Sequence, residues 1–130
     1  MEAIPFTEQI GATYRGLPVF RVNVPRPPYS NKGYCVMHKG LYVLEEGEGM
    51  LTAVACTHFG EGFIRIFDTR LNDNLTIPAD SPSLYSTPQT MCLWMLGAGF
   101  NNGLVVEAVG AREDIPVFLS LSWSKFYGET

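Results

Sequence analysis

The sequence predicts an all-β chain, an antiparallel β-sandwich that is jelly-roll-like and carries an N-terminal arm. Three observations predict it. Apolar residues recur with period two in short runs, the spacing of a strand with one buried face. Glycine and proline, 13 and 9 of the 130 residues, interrupt the chain too often for the 3.6-residue period of an amphipathic helix to develop. The runs also follow one another at regular spacing with turn residues between them, as in sandwiches and barrels.

Taken in order, residues 1–16 read as an N-terminal arm or an extra edge strand, and 17–130 as a single β-sandwich domain. The first strand run is LPVFRVNV (17–24). VPRPPYSNKG (24–33) follows, whose three prolines exclude a central strand and favour local polyproline II. GLYVLEE (40–46) is the next strand, and EEGEG (45–49) reads as a turn with solvated acids before it. In MLTAVACTHF (50–59) the apolar residues Leu51, Val54 and Cys56 skip a beat, and a β-bulge near Thr52 or Ala53 would restore one face. Gly60, Glu61 and Gly62 then read as a hairpin link to FIRIFDT (63–69). There Ile64 and Ile66 share one face, and Phe63, Arg65 and Phe67 the other, so a second layer or a neighbouring subunit should cover the strand. Residues 71–90 look like a long polar crossing. MCLWML (91–96) is apolar on both faces. GLVVEAV (103–109) and PVFLSLSW (116–123), joined by the polar stretch 110–114, read as a β-hairpin. In its last strand Val117, Leu119, Leu121 and Trp123 face a core and Phe118, Ser120, Ser122 and Ser124 face away.

At 130 residues the chain is long enough for one core without disulfide or metal staples. Its 46% apolar content excludes a disordered chain. Charged residues are only 17%, against roughly 25% in an average domain, which leaves more surface for another copy or a partner to cover. A net charge of −4 with nine scattered basic residues argues against binding nucleic acid. No apolar run approaches the roughly 18 residues of a membrane helix, and no signal peptide is visible, so no membrane partner is expected and the chain should fold in the cytosol of its host cell. Cys35, Cys56 and Cys92 form no CxxC motif. Cys56 and Cys92 lie in apolar runs and read as small buried hydrophobes.

Chemistry is sparse. The histidines are His38 and His58. Cys56 and His58, two apart, would share a strand face and, with Cys35 or His38, could make a cupin-like metal site. Cys56, His58 and Asp68 could be written as a nucleophilic set, but no motif such as GxSxG accompanies them. Glu45/Glu46 and Glu113/Asp114 are adjacent pairs and read as solvated loops. Trp94, Trp123 and the tyrosines, with Asn72, Asn74, Asn101 and Asn102, could make a carbohydrate platform, although core or interface burial suits large rings better.

The order of several short motifs resembles a family of small β-sandwich virion proteins of tailed bacteriophages. The matching residues are Gly49 and Leu51; Ile64, Ile66, Phe67 and Asp68; Ile77, Pro78 and Ala79; Asn102, Gly103, Leu104 and Val106; and Asp114, Ile115 and Val117. The likeness spans about residues 49–124. It implies a non-enzymatic virion structural protein with no cofactor, made in the host cytoplasm. Capsid decoration (cement), head-fibre and tail-associated members all fit it. Expected partners are the chain itself, as a dimer or trimer, and the major capsid protein or other virion proteins. Phe63, Arg65, Phe67, Trp94 and Phe118 are the candidate interface residues. A tail or head-fibre module binding host-surface glycan and a cupin-like metal-binding protein remain as alternatives.

Overall fold

The computed structural model describes residues 7–13, 16–23, 31–36, 39–56, 62–87, 92–110 and 119–125. Within them lie ten strands and no helix: β1 (Thr7–Ala12), β2 (Pro18–Val22), β3 (Asn31–Val36), β4 (Gly40–Glu46), β5 (Gly49–Cys56), β6 (Gly62–Asp68), β7 (Ser83–Thr87), β8 (Cys92–Phe100), β9 (Gly103–Gly110) and β10 (Leu119–Lys125). They form two sheets, β1-β2-β4-β9-β6-β7 and β3-β10-β5-β8. All pairings are antiparallel except β2 with β4. The predicted β-sandwich is therefore present.

The pairing is nested. β6 pairs with β7, β5 with β8, β4 with β9 and β3 with β10. From β3 onward the chain changes sheet at every connection except β6 to β7. Both predicted hairpins are thereby corrected. β5 and β6 lie in different sheets, as do β9 and β10. A short glycine-containing link joins layers as readily as it joins neighbours. Burying one face of each strand against the opposite sheet is what selects the crossing.

Two segments read as irregular hold strands. β3 begins within the proline-rich stretch, and it is an edge strand, which such a flank permits. β7 lies inside the predicted polar crossing and forms the far edge of the larger sheet. At the N-terminus, residues 7–12 are not a free arm. They pair with β2 as the other edge of that sheet.

Between the sheets pack Tyr42, Leu51, Val54, Ile64, Ile66, Phe100, Leu104, Val106 and Trp123, all essentially inaccessible. Each large side chain so buried contributes about 1.5–3 kcal/mol. Phe20 and Tyr42 stack with centroids 5.1 Å apart. Leu121 and Trp123 are buried while Ser120 is exposed, as the alternation in the last strand predicts. Val117 and Phe118 lie outside the described residues.

The predicted bulge is present. Trp123 pairs with Leu51 and Ser122 with Ala53, which leaves Thr52 as the extra residue. Leu51 and Val54, three apart, are both fully buried as a result. The Thr52 hydroxyl donates to the Ser122 carbonyl at 2.9 Å, which satisfies an acceptor beside the break.

Candidate functional site

The outer face of the larger sheet carries a second apolar cluster. Val19, Leu41 and Val105 are buried there, with Leu71, Leu75 and Ile77 packed on them. These last three belong to the 69–82 connection, which lies across the sheet as a strap. It is held at both ends. Asp68 N–H donates to the Pro82 carbonyl (3.0 Å) and Thr69 N–H to the Gly103 carbonyl (3.2 Å). Ser81 Oγ sits 2.7 Å from both Thr69 Oγ1 and the Pro78 carbonyl. Leu75 adopts φ 62°, costly for a branched side chain. Its side chain fills the notch over Gly11, where a Cβ would fall 2.5 Å from Leu75 Cδ1.

Beside the strap is a groove of about 770 Å³. Leu17, Phe67, Ile77 and Pro78 line its apolar part, and Arg65 and Glu107 its polar part. Arg65 and Glu107 are cross-strand partners on β6 and β9. Their side chains form an ion pair, with Arg65 Nε donating to Glu107 Oε1 at 2.8 Å. The guanidinium carbon lies 5.6 Å from the centroid of the Phe67 ring. Exposure of the arginine at 43% keeps this pair in the weak, solvent-screened range, roughly 0–1 kcal/mol.

Of the five candidate interface residues, the structure brings Arg65 and Phe67 together. Both lie on the face of β6 opposite the buried Ile64 and Ile66. The strap packs on Val19, Leu41 and Val105 of the same sheet and shares the groove with Arg65 and Phe67. The backbone of Phe63 pairs with Val109 and that of Trp94 with Val54. The side chains of Phe63 and Trp94, and all of Phe118, lie outside the described residues. Glu107 was not legible as part of the site. Its signal was a single acid within the apolar run VVEAV.

Glu45 is a correction. It is buried, not solvated. Val43 pairs with Val105 but Glu45 with Leu104, so Leu44 is an extra residue in β4. That bulge turns Glu45 toward β3 and β10. Its Oε1 accepts from Lys32 Nζ and from Trp123 Nε1, each at 3.1 Å. The ion pair ties β3 of one sheet to β4 of the other. Glu46 is exposed as expected, and Gly47, at φ 100°, takes the turn conformation that glycine favours. Glu113 and Asp114 lie outside the described residues.

Of the proposed nucleophilic and metal residues, Asp68 and Cys35 have described side chains, and that of Cys56 lies outside the described residues. The Asp68 carboxylate accepts the backbone N–H groups of Asn101 (3.0 Å) and Asn102 (2.8 Å), a structural role. Among the described residues no three His, Cys, Asp or Glu cluster as metal ligands. Cys35 is exposed on β3, while His38 and His58 lie outside the described residues. Of the four asparagines, Asn102 accepts through its backbone carbonyl from Arg70 Nε at 3.4 Å. Asn72 and Asn74 bond Thr76 within their own turn. Of the rings expected beside them, Tyr14, Tyr29 and Tyr127 and the side chains of Tyr85 and Trp94 lie outside the described residues. Tyr34, Tyr42 and Trp123 are in the core. Burial pushes the Tyr34 phenol up to about 12, helped by the charge of the neighbouring Cys35, and burial pushes Tyr42 up as well.

No protein-family model matches the chain, and no curated protein matches it. Of the residues that carry the sequence resemblance, Asp114, Ile115 and Val117 lie outside the described residues and Phe67 lines the groove, while most of the others fall on the scaffold. Gly49 is packed so closely that a Cβ would collide with the Ser124 carbonyl and the Phe100 ring. A Cβ on Gly103 would fall 2.6 Å from the Thr69 carbonyl. Leu51, Ile64, Ile66, Leu104 and Val106 are core, Asp68 pins the β8–β9 turn, and Ile77 anchors the strap.

Proposed function

We propose that the protein is a non-enzymatic structural component of a phage virion, a jelly roll that self-associates and binds a capsid shell as a decoration protein. The observation that carries this reading is the nested pairing. β3 to β10, in sheets β3-β10-β5-β8 and β4-β9-β6-β7, follow the eight-strand order of a double-sheet jelly roll, an architecture of viral capsid domains that cupins and lectins also use. The warrant is analogy of fold joined to the order of the sequence motifs. β1 and β2 extend one sheet.

A free edge supports self-association. β8 has one neighbour, β5, among the described strands. It is nine residues long, and Cys92–Phe100 contains no charged residue and no proline. Edges without such guards invite pairing with another chain. The other edges are shorter, and β1 and β3 carry Glu8 and Lys32.

The test is native mass spectrometry of the purified chain, followed by co-sedimentation with empty shells of the major capsid protein encoded in the same genome. A metal-free dimer or trimer that pellets with shells is the expected result. A monomer that carries stoichiometric metal and stays in the supernatant would replace this reading with the cupin-like one. A shell-indifferent oligomer that gives a signal on a glycan array would replace it with the fibre reading.

A further inference from the structure

The register of β5 and β8 places Cys56 directly opposite Cys92. The two are 36 positions apart in sequence, and nothing in their spacing marks them as partners. Opposed residues on antiparallel strands share a face, with Cβ atoms about 4.5–5.5 Å apart and Cα atoms about 4.5–5.5 Å apart. A disulfide spans Cα separations of roughly 4.4–6.8 Å and needs Cβ atoms only slightly closer than the pairing already sets them. Cys56 ends β5 and Cys92 begins β8, so the pair is the last rung of that ladder, on an edge strand. A small oxidant approaches such a place more readily than the middle of a sheet.

We propose that Cys56 and Cys92 are a redox couple, dithiol under reducing conditions and a cross-strand disulfide when a small-molecule disulfide such as oxidised glutathione is present. The thiolate of one cysteine attacks the small disulfide, forming a mixed disulfide and releasing one small thiol. The thiolate of the other attacks the protein sulfur of that mixed disulfide and releases the second small thiol. Two electrons pass to the small disulfide, and the two cysteine protons end on the two small thiols. The bond would staple the edge strand β8 to β5 after the chain leaves a reducing cell interior. The inference stands on the register and does not depend on the proposed function.

The experiment incubates the folded, full-length chain with oxidised glutathione, blocks remaining thiols by alkylation and maps the peptides by mass spectrometry. Its thermal midpoint is read in parallel. The expected product has a 56–92 cross-link, its two linked peptides together lighter by two hydrogen atoms, and a free or glutathionylated Cys35. Its midpoint rises by about 10 °C, as closing a loop of this length predicts, and the rise is reversed by reductant. C56A and C92A each remove the rise while C35S keeps it. The reduced wild-type chain serves as its own folded reference should either alanine variant fold poorly. Recovery of Cys56 and Cys92 as separate alkylated or glutathionylated residues, with the chain still folded, overturns the proposal, as does a cross-link from Cys35 to either.

Discussion

Glu45 shows how one residue can be read wrongly from its neighbours. An acid beside another acid before a glycine turn is normally solvated, yet a one-residue bulge turns this one onto Lys32 and Trp123. Substitution by alanine would leave a largely buried ammonium and a buried indole N–H without this acceptor. We expect E45A to cost about 3 kcal/mol in urea unfolding, in the range for breaking a buried pair, and K32M to cost a comparable amount because it leaves the buried Glu45 carboxylate without its ammonium partner. The raised tyrosines give a pH signature. Tyr34 holds its proton to about 12 in the folded state against 10.0 unfolded. The folded chain therefore binds more protons between those values, so this contribution is complete below pH 10 and is lost as pH rises toward 12. The urea midpoint should fall across that interval, with a shallower slope in Y34F. An equal slope in that variant would assign the loss to other groups.

At the scale of elements, period and local breaks in period were legible, and pairing was not. β4 spans the predicted residues 40–46, and β5, β6 and β9 follow from alternation. The bulge at Thr52 was visible because two core residues stood three apart. β3 and β7 were missed for a physical reason: edge strands bury little, so their sequences stay polar and carry proline nearby. The hairpins were misassigned because a turn sequence sets where a strand ends and says nothing about which sheet the next one joins. Of the candidate site, Arg65 and Phe67 were legible from the two-sided pattern of β6. Glu107 and the strap were not, since both act through tertiary contact. The strap itself gives a sharp prediction. Leu75 combines a left-handed backbone with a packed side chain. L75A keeps the backbone cost and loses the packing, whereas L75G loses the packing but relieves the backbone. We expect L75A to be the less stable of the two by about 1 kcal/mol in urea titrations, an inversion of the usual order of alanine and glycine.

For the whole molecule, the organising fact is that strands far apart in sequence are neighbours in space. Both sheets draw on early and late segments: β4 beside β9 in one, β3 and β5 against β10 in the other. The core is therefore a single cooperative body, filled from both sheets by side chains such as Tyr42 and Trp123. Unfolding should follow one transition, with tryptophan fluorescence and far-ultraviolet dichroism giving coincident urea midpoints. Separate midpoints would mean that the two sheets lose order independently.

The nested pairing also has a consequence in time. β3 emerges early from the ribosome, but its partner β10 begins at Leu119, so about nine-tenths of the chain must be made before that rung can close. Until then the open edges of β3 and β5 have no partner of their own. Closure of so long a loop makes folding slow and concentrates the risk of aggregation in the nascent chain. Synthesis that stalls before residue 119 would leave the larger sheet with all its strands and the smaller one with a gap at its centre.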